Sequence, residues 1–113
     1  MKPSAGPDIR SRASFLTEAD LDEKLTRWHV YFSGEVQAVG FRYTAMLYAR
    51  DLGLTGWVKN LYDGRVEMEA QGSVSLLRKL LLYLKSHPPI RITDYHIQEI
   101  PLLENETRFI ITG

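Results

Sequence analysis

The chain has 113 residues, 44% of them hydrophobic and 25% charged, which suits one globular domain and excludes a disordered chain. The 14 basic residues balance 14 acidic ones, so the formal net charge is zero and no basic excess indicates a nucleic-acid partner. The absence of cysteine excludes disulfides, thiolate catalysis and cysteine-ligated zinc. A small anionic ligand remains compatible with this balance, since its site needs only one or two local charges.

The N-terminal residues differ in character from the rest of the chain. Residues 1–26 begin with prolines and small residues and predict a flexible extension, within which Thr17 could cap a short helix reaching Leu25. No apolar block follows Lys2, and the longest nearly apolar run, Leu80 to Leu84, is far too short to span a membrane. We therefore expect a cytoplasmic protein with one domain at residues 27–113 and no membrane partner.

From Trp28 onward the apolar spacing predicts alternating strands and helices. Period-two alternation indicates strands, and apolar residues three or four positions apart indicate helices. The predicted strands are Trp28 to Phe32, 56–60, a strand with Val66, Met68 and Ala70 on one face, Ile90 to Ile100, and Thr107 to Thr112. A first helix, after the first strand, has the apolar face Phe41, Ala45, Ala49 and Leu52. A second helix, after the third strand, has the apolar face Leu77, Leu80, Leu81 and Leu84.

Turn and capping residues mark the ends of these elements. Gly53 ends the first helix, Asp63-Gly64 predicts a hairpin turn, and Ser73 can cap the second helix. Two helices of this length can cover one face of a mainly antiparallel sheet. The predicted fold class is therefore α+β, a ferredoxin-like sandwich with two helices on one face of a mainly antiparallel four- to five-stranded sheet. Trp57 is expected in its core.

The segment GEVQAVGFR, residues 34–42, lies between the first predicted strand and the first predicted helix. Gly34 and Gly40 permit close backbone approach, and a helix N-terminus carries partial positive charge that suits a phosphate. Arg42 lies in the first turn of that helix, where a cation is unfavourable unless an anion binds nearby. A plain turn with a solvated arginine is the alternative. Asn60, at the end of the second strand, is a second candidate site residue. The alternative is a turn-forming asparagine that bonds its own backbone.

The two segments GEVQAVGFR and GWVKNLYDGRVEMEAQG together resemble the acylphosphatases, over about residues 27–112. The resemblance implies that the backbone of the loop binds phosphate together with Arg42, and that Asn60 orients the attacking water. The implied substrate is a carboxyl-phosphate mixed anhydride, the products are a carboxylate and inorganic phosphate, and no metal or cofactor is required. The loop residues in question are Gln37, Ala38, Val39, Gly40 and Phe41.

One position departs from the family pattern, which has glycine where this chain has Ala38. If that residue adopts a positive φ, its methyl group costs on the order of 1 kcal/mol and could crowd the phosphate. The alternative function is a non-catalytic ferredoxin-like module that binds an anion or acts in regulation. A further variant is an acylphosphatase-like domain that handles carbamoyl phosphate for a larger enzyme. The histidines lack ligand-like spacing, so no metal site is predicted, and a monomer is expected.

Overall fold

The computed structural model describes residues 24–113, so the predicted extension and the helix expected from Thr17 lie outside the described residues, apart from positions 24 to 26. Leu25 and Thr26 belong to the first strand. The described elements are β1 (Leu25–Glu35), α1 (Phe41–Asp51), β2 (Thr55–Asn60), β3 (Val66–Ser73), α2 (Val74–Lys85), β4 (Arg91–Ile100) and β5 (Phe109–Ile111).

The described strands form one sheet in the order β4-β1-β3-β2-β5, with the two helices packed against it. β1 is antiparallel to β3 and to β4, and β2 is antiparallel to β3. β5 instead runs parallel to β2, with Val58 beside Ile111. The predicted α+β, ferredoxin-like arrangement is confirmed, and the parallel pair brings residues near position 111 close to the end of β2.

Alternation along the strands separates a face under the helices from an open face. Val30 and Phe32 of β1 are fully buried, while the alternating residues His29 and Tyr31 stay partly exposed. The predicted apolar faces of the two helices are buried as well, because residues three or four positions apart lie on the same side of a helix. The buried helix residues are Phe41, Ala45 and Ala49 in α1 and Leu76, Leu77, Leu80, Leu81 and Leu84 in α2.

The structure departs from the predictions at β1, at β5 and at Trp57. β1 begins at Leu25, three residues early, because Leu25 already pairs with Ser73 of β3. β5 covers only Phe109–Ile111. Trp57, expected in the core, is only partly buried, since it faces the side opposite the buried Val58, where its ring lies 6.5 Å from that of His29.

The connection from β4 to β5 is fastened to the sheet through Arg27. The Arg27 side chain has no exposed surface and donates to both oxygens of Glu106, at 2.7 and 3.2 Å. It also donates to Glu69 at 2.9 Å and to Gln71 at 3.1 Å. Gln71 in turn bonds the backbone of Leu103, so the crossing segment is held at two points. Among residues 24–113, no helix is long and apolar enough to cross a membrane.

Candidate active site

The loop that joins β1 to α1 begins at a bulge in the sheet. The pairing of β1 with β4 shifts register between Ser33 and Gly34, and Gly34 has φ +124°. A Cβ at Gly34 would overlap the backbone carbonyl oxygen of Arg91. Gly34 therefore serves strand packing, and it is the later part of the segment that forms the loop.

Two residues with positive φ shape the rest of the loop. Ala38 has φ 61° and Gly40 has φ 78°. The positive φ considered for Ala38 is thus present, although alanine carries the Cβ that makes this conformation unfavourable. A Cβ at Gly40 would meet no atom within 4 Å, so glycine is present there for its backbone conformation.

The N-terminus of α1 is open, in contrast to that of α2. Gly40 is the N-cap of α1 and supplies no side-chain hydrogen bond, and the first helical bond runs from Thr44 N to the Gly40 carbonyl. The first-turn amides before Thr44 therefore have no intrahelical acceptor. In α2 the cap Ser73 accepts from Leu76 N at 3.3 Å. The α1 terminus thus offers free N–H groups and partial positive charge to an anion.

Gln37 fixes the loop against the β2–β3 turn. Its side-chain amide donates to the carbonyls of Leu61 and Arg65, at 2.7 and 2.9 Å. That turn is itself ordered by Asp63, which accepts from the backbone and the guanidinium of Arg65, at 3.1 and 2.9 Å. The hydrogen bonds and charge of Arg65, chiefly the bond from its backbone N–H, lower the pKa of Asp63 against an opposing effect of desolvation. The loop is therefore held to the element that carries Asn60.

A pocket of about 230 Å³ lies where the loop, α1, the end of β2 and β5 meet. It contains five of the seven predicted site residues, Ala38, Gly40, Phe41, Arg42 and Asn60. Gln37 and Val39 do not line it: Gln37 bonds the turn, and Val39 packs against the core. The structure thus brings together the arginine and the asparagine, which are far apart in sequence.

Arg42 is the charged group of this pocket. Its side chain is partly exposed and makes no hydrogen bond or ion pair with any residue in the described range 24–113. It lies in the first turn of α1, where it adds a full positive charge to the partial charge of the helix N-terminus. The planar guanidinium can donate to two oxygens of one anion.

Asn60 lines the same pocket and carries a buried acceptor. Its side-chain oxygen Oδ1 is buried and has no hydrogen-bond partner among the described residues. Leaving such an oxygen unbonded costs roughly 1–3 kcal/mol. Buried polar atoms are nearly always bonded, so this one points to a ligand or water that donates to it.

Three lining residues were not predicted. Val36 and Tyr43 flank the predicted loop residues directly, so their nearness in sequence was a usable signal. Ile111 is different, because it reaches the pocket only through the parallel pairing of β5 with β2. Within residues 24–113, no group of three or more histidines and acidic residues could hold a metal ion.

Comparison with known proteins agrees with this geometry. The sequence model of the acylphosphatase family matches residues 28–111. An acylphosphatase of Methylococcus capsulatus is 40% identical over 88 residues, covering 77% of this chain and 96% of that protein. One of Marinobacter nauticus is 42% identical over 89 residues, covering 78% and 97%.

Solved structures give the same result. The crystal structure of acylphosphatase from Bacillus subtilis superposes with a TM-score of 0.73 at 37% identity, covering 80% of this chain and 100% of that one. The resemblance seen in the two sequence motifs is thereby confirmed: the chain belongs to the acylphosphatase family.

Proposed function

We propose that the protein hydrolyses the carboxyl–phosphate bond of acyl phosphates, giving a carboxylate and inorganic phosphate without a metal ion. Arg42 and the backbone of residues 37–41 bind the phosphate, and Asn60 orients the attacking water. One observation carries the proposal: a single pocket joins an arginine without a partner in residues 24–113 to a buried, unbonded amide oxygen.

Phosphate binding follows from the charges and donors at the end of α1. The open first-turn amides and Arg42 both favour a dianionic phosphoryl group at this place. Charge on the equatorial oxygens persists through phosphoryl transfer, so the same donors stabilise the transition state. The left-handed residues Ala38 and Gly40 curve the loop beside these donors.

The unbonded oxygen of Asn60 supports the water-orienting role. Oδ1 can accept a hydrogen bond from a water molecule, and this positions the water oxygen for attack on phosphorus. The new P–O bond forms as the bond from phosphorus to the acyl oxygen breaks, and the carboxylate departs with that electron pair. A phosphate oxygen of the substrate takes the water proton. Because a carboxylate is a weak base, it leaves without a general acid or a metal ion.

A binding module without turnover is the alternative function. Arg42 and the helix N-terminus would suit such a module equally well. The unbonded oxygen of Asn60 has no use in such a module, because an oxygen that only accepts repels a phosphate oxygen and attracts a donor such as water. Its position in the pocket therefore favours hydrolysis over simple retention of an anion.

Hydrolysis of acetyl phosphate, with and without EDTA, tests the reaction directly. We expect turnover that the chelator leaves unchanged, and slow or no turnover with a simple phosphate ester, whose alkoxide leaving group needs an acid or a metal. Binding of inorganic phosphate without any acetyl phosphate turnover would support the binding module. Turnover abolished by EDTA would contradict the metal-free mechanism.

Asn60→Ala tests the role of the asparagine. We expect kcat to fall by about 10²–10³, the range seen when one positioned polar group is removed, while inorganic phosphate still binds with similar Kd. The free energy of unfolding should be unchanged or higher, because the variant removes an unbonded buried oxygen. Gln98→Ala, an exposed amide on β4, is the matched control. Full activity in Asn60→Ala would rule out its assigned role.

A monomer and a cytoplasmic location complete the proposal. The sequence contains no cysteine, which is compatible with a reducing compartment. Size-exclusion chromatography with light scattering measures the oligomeric state, and a mass above 13.0 kDa per particle would contradict the monomer.

A further inference from the structure

A second cavity, of about 270 Å³, lies on the face of the sheet opposite the helices. The residues that line it come from β2 and from the end of the chain around β5: Trp57, Lys59, Ile110, Thr112 and Gly113. None of them lines the candidate active site. We call it the open-face cavity. Trp57, which was expected in the core, is thus the aromatic wall of a cavity instead.

The parallel pairing of β2 with β5 builds the floor of the open-face cavity from two rows of side chains. Trp57 lies beside Ile110, and Thr112 extends the ladder by donating its N–H to the Val58 carbonyl at 3.0 Å. Because alternate residues of a strand share a face, Lys59 and Thr112 form a second row, about 6–7 Å further along the strands. The first row is apolar and the second row is polar.

The polar side chains of the open-face cavity have donors left for a ligand. The Trp57 indole N–H, the Lys59 ammonium and the Thr112 hydroxyl form no hydrogen bond with any residue in the described range 24–113. The ammonium has an ionic neighbour in Glu67, but at 4.0 Å the two are too far apart for a hydrogen bond. Glu67 is instead bonded to His29 at 2.7 Å. Since no acidic side chain lines the cavity, its donors favour an anionic group.

The Lys59 side chain is ordered by the end of the chain. A Cβ at Gly113 would lie 3.2 Å from the Cβ and 3.3 Å from the Cδ of Lys59, so the backbone packs along the lysine stem. The side chain nevertheless keeps 39% of its surface exposed. A ligand therefore meets a cation whose stem is already packed, which reduces the entropy lost on binding.

We propose that the open-face cavity binds a small planar aromatic molecule that carries one anionic group. The ring covers the Trp57 indole beside Ile110 and removes apolar surface from water. Its anionic group then reaches the second row, where Lys59 and Thr112 donate to it. A volume of about 270 Å³ is small for a ligand site and suits one or two rings. An aromatic carboxylate and a mononucleotide share this chemistry. The inference does not depend on the proposed hydrolysis, because the two sites share no lining residue.

Titration of the full chain with benzoate, followed by ¹H–¹⁵N NMR, tests the site. The sequence contains two tryptophans, and Trp57→Phe identifies which indole N–H signal belongs to Trp57. We expect benzoate to shift this signal and the Thr112 amide together, with a Kd in the millimolar range that is usual for so small a ligand. Benzamide lacks the charge and acetate lacks the ring, so each should bind at least about fivefold more weakly.

Variants of Lys59 test the anionic half of the site. Lys59→Ala should weaken benzoate binding about fivefold, whereas Lys59→Arg should keep the parent Kd within about twofold, because the positive charge is retained. Lys85→Ala, which removes an exposed lysine of α2 on the opposite side of the sheet, is the matched control. Arg42→Ala should also keep the parent Kd, since Arg42 belongs to the other pocket.

A parallel titration with AMP distinguishes the two sources of the ligand. Shifts at Trp57 and Thr112 from benzoate alone would assign the site to aromatic carboxylates, and shifts from AMP alone would assign it to mononucleotides. Shifts from both at the same residues would support the shared chemistry. The inference would be overturned if neither compound shifted these signals, if benzamide bound as tightly as benzoate, or if the shifts disappeared in Arg42→Ala.

Discussion

Two buried or half-buried arginines of this small domain stand in opposite situations. Arg27 has no exposed side-chain surface and donates to Glu69, Gln71 and Glu106. Arg42 lies partly exposed in the pocket and bonds no residue of the described range. Both lie near the start of an element, Arg27 in β1 and Arg42 in α1, yet only Arg42 has donors left for a ligand.

The same type of side chain serves folding in one place and is available for binding in the other. A guanidinium with its donors satisfied connects segments of the chain, as Arg27 connects β1 and β3 to the crossing that contains Glu106. A guanidinium with free donors, placed at an open helix N-terminus, keeps them available for an anion. Removal should therefore affect stability in the first case and catalysis in the second.

Replacing Arg42 gives the largest expected effect. In Arg42→Ala we expect kcat/KM for acetyl phosphate to fall by about 10²–10³, since one charged donor to the phosphate is lost. Phosphate binding, measured by calorimetry, should weaken as well. The free energy of unfolding should stay within about 0.5 kcal/mol, because no described contact is broken. Arg78→Ala, which replaces an exposed arginine on α2, is the control. An equal loss of kcat/KM in both variants would show that Arg42 has no special role in catalysis.

Replacing Arg27 should act on stability instead. Removing one partner of a buried ion pair typically costs about 3–5 kcal/mol. We expect Arg27→Ala to lower the free energy of unfolding by about 3 kcal/mol, because Glu69 and Glu106 keep 21% and 17% exposure and can regain water. Urea unfolding measures this loss. The kcat of the folded fraction should match that of the parent. A loss of kcat with unchanged stability would contradict the assignment of Arg27 to folding.

The pH dependence of stability should carry the signature of Glu106. Burial alone would raise the pKa of this carboxyl, but hydrogen bonds from Arg27 and Thr55 and the charge of Arg27 outweigh it, so the pKa lies below its ordinary 4.5. The folded carboxyl thus holds its proton less tightly than the unfolded one. Its stabilising contribution is complete above about pH 4.5 and is lost as pH falls through the folded pKa.

Glu106→Gln isolates that contribution. The variant should have a lower free energy of unfolding than the parent at neutral pH. The difference between the two free energies should shrink as urea unfolding is repeated at successively lower pH values. Asp63→Asn is a suitable comparison, since Asp63 also has a lowered pKa but lies on the exposed turn. A gap between parent and Glu106→Gln that stays constant with pH would show that the carboxylate charge contributes nothing.

The fold was largely predictable because its signals are local. Helical spacing identified the buried faces of α1 and α2, and Ser73 and Asp63-Gly64 marked a cap and a turn. The network of Arg27 was not predictable, because its partners lie at 69, 71 and 106 and depend on strand register and on the path of a distant loop. The exposure of Trp57 likewise depended on which face the helices cover.

The candidate site was predictable where chemistry is carried by contiguous residues. The positions of Arg42 and Asn60 follow from two motifs, and the structure brings both into one pocket. The bonds of the Gln37 side chain and the presence of Ile111 could not be predicted, because each needs a three-dimensional neighbour. Gly34 was assigned to close approach within the loop, whereas its close neighbour is β4.

Ala38 gives the smallest expected effect and tests the shape of the pocket. Its φ of 61° costs an alanine roughly 1–2 kcal/mol, and glycine avoids this cost. Glycine also raises the conformational entropy of the unfolded chain, which lowers the free energy of unfolding by about 0.4–1 kcal/mol. Ala38→Gly should therefore raise the free energy of unfolding by a few tenths to about 1 kcal/mol, measured by urea unfolding. Gly53→Ala, at φ 73° with no atom near the added Cβ, should lower the free energy of unfolding by a comparable amount.

Because Ala38 already adopts the left-handed conformation, kcat/KM of Ala38→Gly should change little. A rise of about tenfold or more, equivalent to 1.4 kcal/mol, would show instead that the methyl group crowds the phosphate in the pocket beside Arg42.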